Sequence, residues 1–145
     1  MGFRLSIKGQ TDEVLLEKES IVDVKYLSET PEDSNARATD LGITLEISGR
    51  ILAAASGDNE DDTRRIAQWS LLPAEVADAY RYATLEVISA GQMVRKFDMP
   101  NSFVVDYIET YGNQAGTGTF TLKIKQKKEK VKEVAIEGGY QAQEA

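Results

Sequence analysis

The side chains best placed to do chemistry in this chain are carboxylates. Asp58-Asn59-Glu60-Asp61-Asp62 sets four acids and one amide in five residues, a density of oxygen ligands that suits calcium. The run lacks the loop spacing and central glycine of an EF-hand. The same letters serve a helix start, where acids meet the positive end of the helix dipole. That structural reading is the stronger one, and no metal site is assigned. Gly112-Asn113-Gln114-Ala115-Gly116-Thr117-Gly118 has the look of a phosphate-cradling loop. Such loops join a strand to a helix and carry a lysine near their end. Here Thr119-Phe120-Thr121-Leu122 follows, a strand pattern, so a hairpin connection is expected. Trp69, Tyr80 and Tyr82 are aromatic candidates for an apolar pocket, although aromatics beneath a helix more often fill the core.

Histidine and cysteine are both absent. That removes the commonest general base and the commonest transition-metal ligand. Zinc sites built on His and Cys, Ser-His-Asp triads and Cys-His pairs are excluded. A two-carboxylate mechanism such as glycoside hydrolysis stays open on paper. Most acids, however, fall in loops or at alternate strand positions, which is the signature of a wetted face. No catalytic residue and no cofactor is assigned.

The elements that must position these residues are mostly strands. Phe3, Leu5 and Ile7 alternate with Arg4, Ser6 and Lys8. Gly9 to Asp12 is a turn cluster. Val14 to Glu17 is a brief apolar segment, and Ser20 to Leu27 opposes Val22, Val24 and Tyr26 to Asp23 and Lys25. Gly42 to Leu52 opposes Ile43, Leu45 and Ile47 to Thr44, Glu46 and Ser48. Ala83 to Ser89, Met93 to Met99, Phe103 to Tyr111 and Thr119 to Lys125 continue the two-residue period. That period predicts antiparallel sheet with one packed and one wet face. Asp61, Asp62 or Thr63 is expected to cap a helix bearing Ile66 and Trp69 on one face. Pro73 is expected to open a second short helix, Ala74 to Tyr80. The fold class is therefore mainly β with one short helical region, an antiparallel barrel or sandwich flanked by a helix.

Length and composition frame this reading. The 145 residues suggest one domain, and a hydrophobic content of 41% supports a real core. Net charge is -7, which argues against nucleic acid as a main partner. No apolar run reaches membrane-spanning length, so no membrane insertion is expected. Met1-Gly2-Phe3-Arg4 lacks the layout of a signal peptide, which makes cytoplasmic synthesis the expectation. The domain is assigned to residues 1–126, with a long loop at 28–40 and the helical region at 62–80. Residues 127–145 are assigned to a charged and flexible tail.

The loop at 28–40 contains no aliphatic side chain larger than alanine. Connections this long inside compact domains are uncommon and are usually functional or disordered. The functional reading is an arm that touches a neighbouring subunit. Its residues are Ser28, Glu29, Thr30, Pro31, Glu32, Asp33, Ser34, Asn35, Arg37, Thr39 and Asp40.

The order of elements, with certain short runs, resembles the tube proteins of contractile injection machines. These include the haemolysin-coregulated protein of type VI secretion and the tail-tube proteins of contractile phages. The runs are Leu5-Ser6-Ile7-Lys8-Gly9-Gln10-Thr11, Ala83-Thr84-Leu85-Glu86-Val87, Phe103-Val104-Val105-Asp106-Tyr107 and Thr119-Phe120-Thr121-Leu122-Lys123-Ile124. In layout the resemblance covers most of residues 3–126. It implies a small barrel flanked by one helix, six copies joined sheet to sheet in a ring, and rings stacked into a hollow tube. It also implies that the loop at 28–40 is the arm that reaches the next subunit or ring. Partners would be further copies of the chain, with sheath, baseplate or spike proteins beyond them. Polar positions such as Thr119, Thr121 and Lys123 would line the lumen or meet the sheath, and an acidic lumen is expected. The acidic run before the helix and the charged C-terminal extension depart from the pattern. They leave open whether the system is a phage tail, a bacteriocin or a secretion apparatus. The alternatives are a β-barrel holding an apolar ligand among Trp69, Tyr80 and Phe97, an adaptor of such a machine, or a carboxylate enzyme.

Overall fold

The two-residue alternation does build strands, and their apolar sides meet in a single core. The computed structural model describes residues 1–30, 41–51, 62–113 and 118–142. Within them run β1 (Gly2–Lys8), β2 (Glu13–Leu16), β3 (Ile21–Glu29), β4 (Gly42–Ile51), helix α1 (Asp62–Ser70), β5 (Arg81–Ser89), β6 (Gln92–Thr110), β7 (Gly118–Gln126), β8 (Ala135–Glu137) and β9 (Tyr140–Gln141). All the pairings are antiparallel. The strand order is β2-β1-β5-β6-β7-β4-β3, with β8 and β9 added to β6. The expected class, mainly β with one short helix, is the observed one.

The sheet curls over itself. Tyr26 of β3 stacks on Phe97 of β6 with ring centroids 4.7 Å apart, although β7 and β4 separate these strands within the sheet. One cluster joins Leu5, Leu85 and Phe97 to Leu45, Leu122 and Ile124. α1 adds Ile66 and Trp69 to that cluster, and its third buried residue is Thr63. Their spacing is one helix face, as expected.

Three local expectations differ from the structure. Met93 to Met99 and Phe103 to Tyr111 are not separate strands but parts of β6, which runs unbroken through Pro100. Proline is tolerated there because β5 pairs Ala83 with Met99 and Arg81 with Ser102, so Pro100 and Asn101 together oppose Tyr82 alone. Such a bulge needs no ladder donor from the ring nitrogen. The Asn101 amide instead reaches Gln126 Oε1 at 3.1 Å, and its carbonyl accepts from the Lys127 amide at 2.8 Å.

The second helix shrinks to a 3-10 turn at Ala77–Ala79. The reason lies in its carbonyls. Ala79 O accepts from Trp69 Nε1 at 2.9 Å and Asp78 O accepts from Arg81 Nε at 3.1 Å, so side chains take the places that helix amides would hold. Finally, the charged extension expected as a flexible tail carries a 3-10 segment (Lys128–Glu133) and then β8 and β9 on the edge of β6.

Candidate assembly surfaces

The residues singled out for chemistry are spread apart or engaged in holding the fold. Asp58 to Asp61 lie outside the described residues. Asp62 opens α1, and its carboxylate reaches beyond the helix. Oδ2 accepts from the Leu15 amide of β2 at 2.8 Å, and Oδ1 lies 3.7 Å from Arg65 Nη1. Among the described residues no three acids gather closely enough to hold a metal ion. The glycine run joins β6 to β7, whose outermost pair is Thr110 with Thr119, and residues 114–117 lie outside the description. It is therefore a strand-to-strand connection, as expected.

Trp69 is core, with its ring nitrogen satisfied by Ala79. A cavity of about 150 Å³ lies beside it, lined by Trp69, Tyr80, Phe103 and Val104 among others. That is below the size of ordinary small-molecule sites. Phe97 does not line it, being stacked on Tyr26 instead. Tyr82 is on the wet face of β5, 42% exposed, so the three aromatics named for a pocket do not converge.

Of the arm residues, Ser28 and Glu29 belong to β3 and pair with Ile43 and Gly42 of β4. Thr30 follows them. Pro31, Glu32, Asp33, Ser34, Asn35, Arg37, Thr39 and Asp40 lie outside the described residues. The expected loop therefore begins two residues later than its composition suggests.

The surface that does emerge is the wet face of β6, β7, β4 and β3. Register places its side chains in rows across the four strands. One row runs Asp106, Lys123, Glu46, Lys25. The next runs Ile108, Thr121, Ser48, Asp23, with the Ser48 and Thr121 hydroxyls 3.3 Å apart. A third has Thr110, Thr119 and Arg50. Neighbours of opposite charge along a row stabilise a sheet by a few tenths of a kcal/mol up to about 1 kcal/mol each.

Unpaired strand edges are the other half of this geometry. An open edge exposes a row of amides and carbonyls that invite another strand. The outer edge of β2 is closed by α1. Asp62 takes the Leu15 amide, and Arg65 Nη1 donates to the Glu13 carbonyl at 3.0 Å. The first half of β6 is flanked by β5 on one side and by β8 and β9 on the other. Its second half, residues 103–110, has β7 as its one strand partner among the described residues, because β5 begins opposite Ser102. The outer edge of β3 also has no strand partner among the described residues. These two open edges bound the polar face on opposite sides.

A buried charge that the sequence reading missed holds the other end of the molecule. Arg81 is only 4% exposed. Its guanidinium reaches Asp78 Oδ2 at 2.7 Å, lies 3.2 Å from Asp12 Oδ1 without hydrogen-bond alignment, and sits 5.4 Å above the Trp69 ring. Asp78 Oδ1 also accepts from the Gln10 amide at 2.9 Å. Burial pushes the Asp78 carboxyl up, but the Gln10 amide and the Arg81 guanidinium outweigh it and hold it below the ordinary aspartate value. The network clips the β1–β2 turn to the segment entering β5. The signal was present in the sequence: Arg81 continues the inward series of Ala83 and Leu85 back by two residues.

A curled antiparallel sheet with one helix across its gap is the Hcp-like tail-tube fold. The chain shares it with a double mutant of the Hcp1 protein from E. coli EAEC 042. That pair has a TM-score of 0.55 at 8% identity, covering 95% of this chain and 99% of that one. The anti-feeding prophage baseplate contains a similar chain, with a TM-score of 0.53 at 12% identity over 94% of this chain and 92% of that one. Hcp1 from Flavobacterium johnsoniae matches at 0.50 and 13% identity, over 97% and 99% of the two chains. No protein-family model matches the sequence, and no curated relative matches it.

Proposed function

We propose that this chain is a structural subunit that assembles with copies of itself into rings, and that the rings stack into the hollow inner tube of a contractile injection system or phage-like tail. One observation carries the reading: a four-stranded polar face is bounded on both sides by edges with no strand partner among the described residues. Closing such edges with further copies removes the aggregation hazard they carry. The polar face would then line the lumen. Its opposite side holds the core, and the bulk of β1, β5 and α1 behind that core fits only outside a narrow ring. The lining would carry both signs of charge, Lys25, Lys123 and Arg50 beside Asp23, Glu46 and Asp106, rather than the acidic surface expected from composition.

The similar baseplate chain comes from a six-fold symmetrised particle, which supports six copies per ring. The arm, reduced to residues 30–40 because Ser28 and Glu29 belong to β3, would reach a neighbouring subunit or the next ring. Sheath, baseplate and spike proteins would be further partners. The subunit would be made in the cytoplasm, without catalytic activity of its own, and become part of a phage-like or secreted particle. No helix among the described residues is long and apolar enough to cross a membrane.

Negative-stain microscopy of the purified protein tests this directly. Rings or tubes are expected. Compact single copies at every concentration, confirmed by solution scattering, would overturn the reading. The arm has its own test. Ser28 and Glu29 pair with β4, so the deletion should span only residues 31–40, bridged by a short glycine link. The variant should fold and assemble more weakly, and unchanged assembly would remove the arm from the account.

A further inference from the structure

We propose that neighbouring copies join head to tail through one defined contact: the outer edge of β3 in one copy lies along residues 103–110 of β6 in the next, with Lys25 facing Asp106. This rests on the tube-subunit reading and specifies which surfaces it uses.

The argument begins with charge order. Across the polar face the row Asp106, Lys123, Glu46, Lys25 alternates in sign. It starts with an acid at one open edge and ends with a base at the other. Placing the next copy beside β3 continues the alternation through the joint without a break. Strand direction agrees. β3, β4, β7 and β6 alternate in direction, so β3 of one copy and β6 of the next run antiparallel, like every other pair in the sheet.

Register is selected by the same row. A slip of one residue would turn every side chain to the opposite face. A slip of two residues one way sets Asp106 against Asp23, a like-charge pair that destabilises. A slip of two the other way sets it against Leu27 and leaves Lys25 opposite Ile108. Only the unslipped register pairs opposite charges.

The flanks of the two edges match on one side as well. On β3, Val22 is 54% exposed and Leu27 45%; on β6, Val105 is 40% exposed and Ile108 57%. In the unslipped register Leu27 comes opposite Phe103 and Asp23 opposite Ile108, with the bulged Val22 next to Asp23 and the bulged Val105 next to Asp106. One apolar pair, Leu27 with Phe103, then lies beside the Lys25 and Asp106 contact. Val22 and Val105 are also the bulged residues of their strands. Bulges deter indiscriminate edge pairing, which narrows the partners of these edges. A contact between two different patches is heterologous, and it closes into a ring when the rotation per copy divides a full turn.

Charge reversal tests the proposal. K25D and D106K are made singly and mixed, with folding followed by circular dichroism and assembly by sedimentation. Each single variant should need about tenfold more protein to assemble than the natural chain, because the pair at the joint becomes repulsive; the in-copy pair it also reverses, Lys25 with Glu46 or Asp106 with Lys123, is read separately as lost subunit stability. An equimolar mixture should recover assembly, since each variant supplies the edge that the other lacks. K25Q and D106N give a milder pair that introduces no like-charge neighbour. They should raise the assembly concentration by a few-fold and weaken its dependence on salt. Wild-type assembly with indifferent single variants, or with loss in K25D alone, overturns this contact and leaves the tube reading standing. Failure of the natural chain to assemble at all overturns both.

Discussion

Replacing Arg81 with alanine tests the most unusual feature of the fold, a buried guanidinium held between two carboxylates and the Trp69 ring. Arg81 makes a charge-assisted bond to Asp78, a second bond to the Asp78 carbonyl, an ion contact with Asp12 and a face contact with Trp69. Each bond from the charged guanidinium contributes about 1.5–3 kcal/mol net and a cation–π contact roughly 0.5–1 kcal/mol. The sum is an upper bound. The side chains of Asp12 and Asp78 keep 32% and 21% exposure, so water re-solvates them once the arginine is gone. A loss of about 2–3 kcal/mol is expected, read by urea denaturation. That corresponds to a fall in Tm of roughly 5–10 °C for a chain of this size. The pH dependence supplies a second readout. Asp78 has its pKa lowered in the fold, so its contribution is complete above the unfolded value and is lost as pH falls through the folded one. Wild type should therefore lose stability below about pH 4, and R81A should lose less over the same range. Arg81→Met separates charge from packing by restoring apolar volume without the ion pair. Stability of R81A within about 0.5 kcal/mol of wild type, a typical spread for neutral surface changes, would refute the assigned role.

Trp69→Phe should cost about 2–3 kcal/mol, because it removes the indole donor and leaves the buried Ala79 carbonyl without its 2.9 Å partner; denaturant titration checks it. Gly49→Ala should lose about 2–3 kcal/mol, since its Cβ would collide with the Ser20 carbonyl, which already accepts from the Arg50 amide at 2.7 Å. Asp62→Ala combined with Arg65→Ala should expose the β2 edge and promote disordered aggregates, visible by light scattering, while the α1 core residues keep the helix in place.

Much of this fold was legible in the sequence because burial follows a period of two in the strands. Leu5 and Ile7, Leu45 and Ile47, and Phe120, Leu122 and Ile124 are all buried, and their alternation alone marks the inner face. The helix was legible for the same reason, through the spacing of Ile66 and Trp69. What stayed hidden depended on partners remote in sequence. Pro100 reads as a strand breaker until the bulge opposite Tyr82 removes the need for its amide. Residues 77–79 read as helix until Trp69 and Arg81 claim their carbonyls. β8 and β9 are two or three residues each, too short for any period to show, and exist only through β6. The charge row was the least legible of all. Asp106, Lys123, Glu46 and Lys25 are scattered along the chain and become neighbours only through three separate registers.

The edges tie these findings together. A curled sheet that does not close on itself presents unpaired backbone wherever a strand has a neighbour on one side only, and each such place is a potential point of association. This chain covers two of them with its own substance. α1 lays Asp62 and Arg65 over β2, and the C-terminal residues lay β8 and β9 along the first half of β6. The segments that depart most from the tube-protein pattern, the acidic approach to the helix and the charged extension, adjoin or supply those covers. The outer edges of β3 and of residues 103–110 receive no strand partner from the described residues, although α1 lies against β6 where the Tyr107 hydroxyl donates to the Thr63 carbonyl at 3.4 Å. They carry exposed valine, leucine and isoleucine, and opposite charges at matched positions. Selective covering of this kind leaves two unlike edges, and under the proposed contact their opposite charges favour pairing one with the other over pairing either with itself. A contact between unlike edges propagates in one direction, which is the geometric requirement for a ring and not for a two-fold dimer.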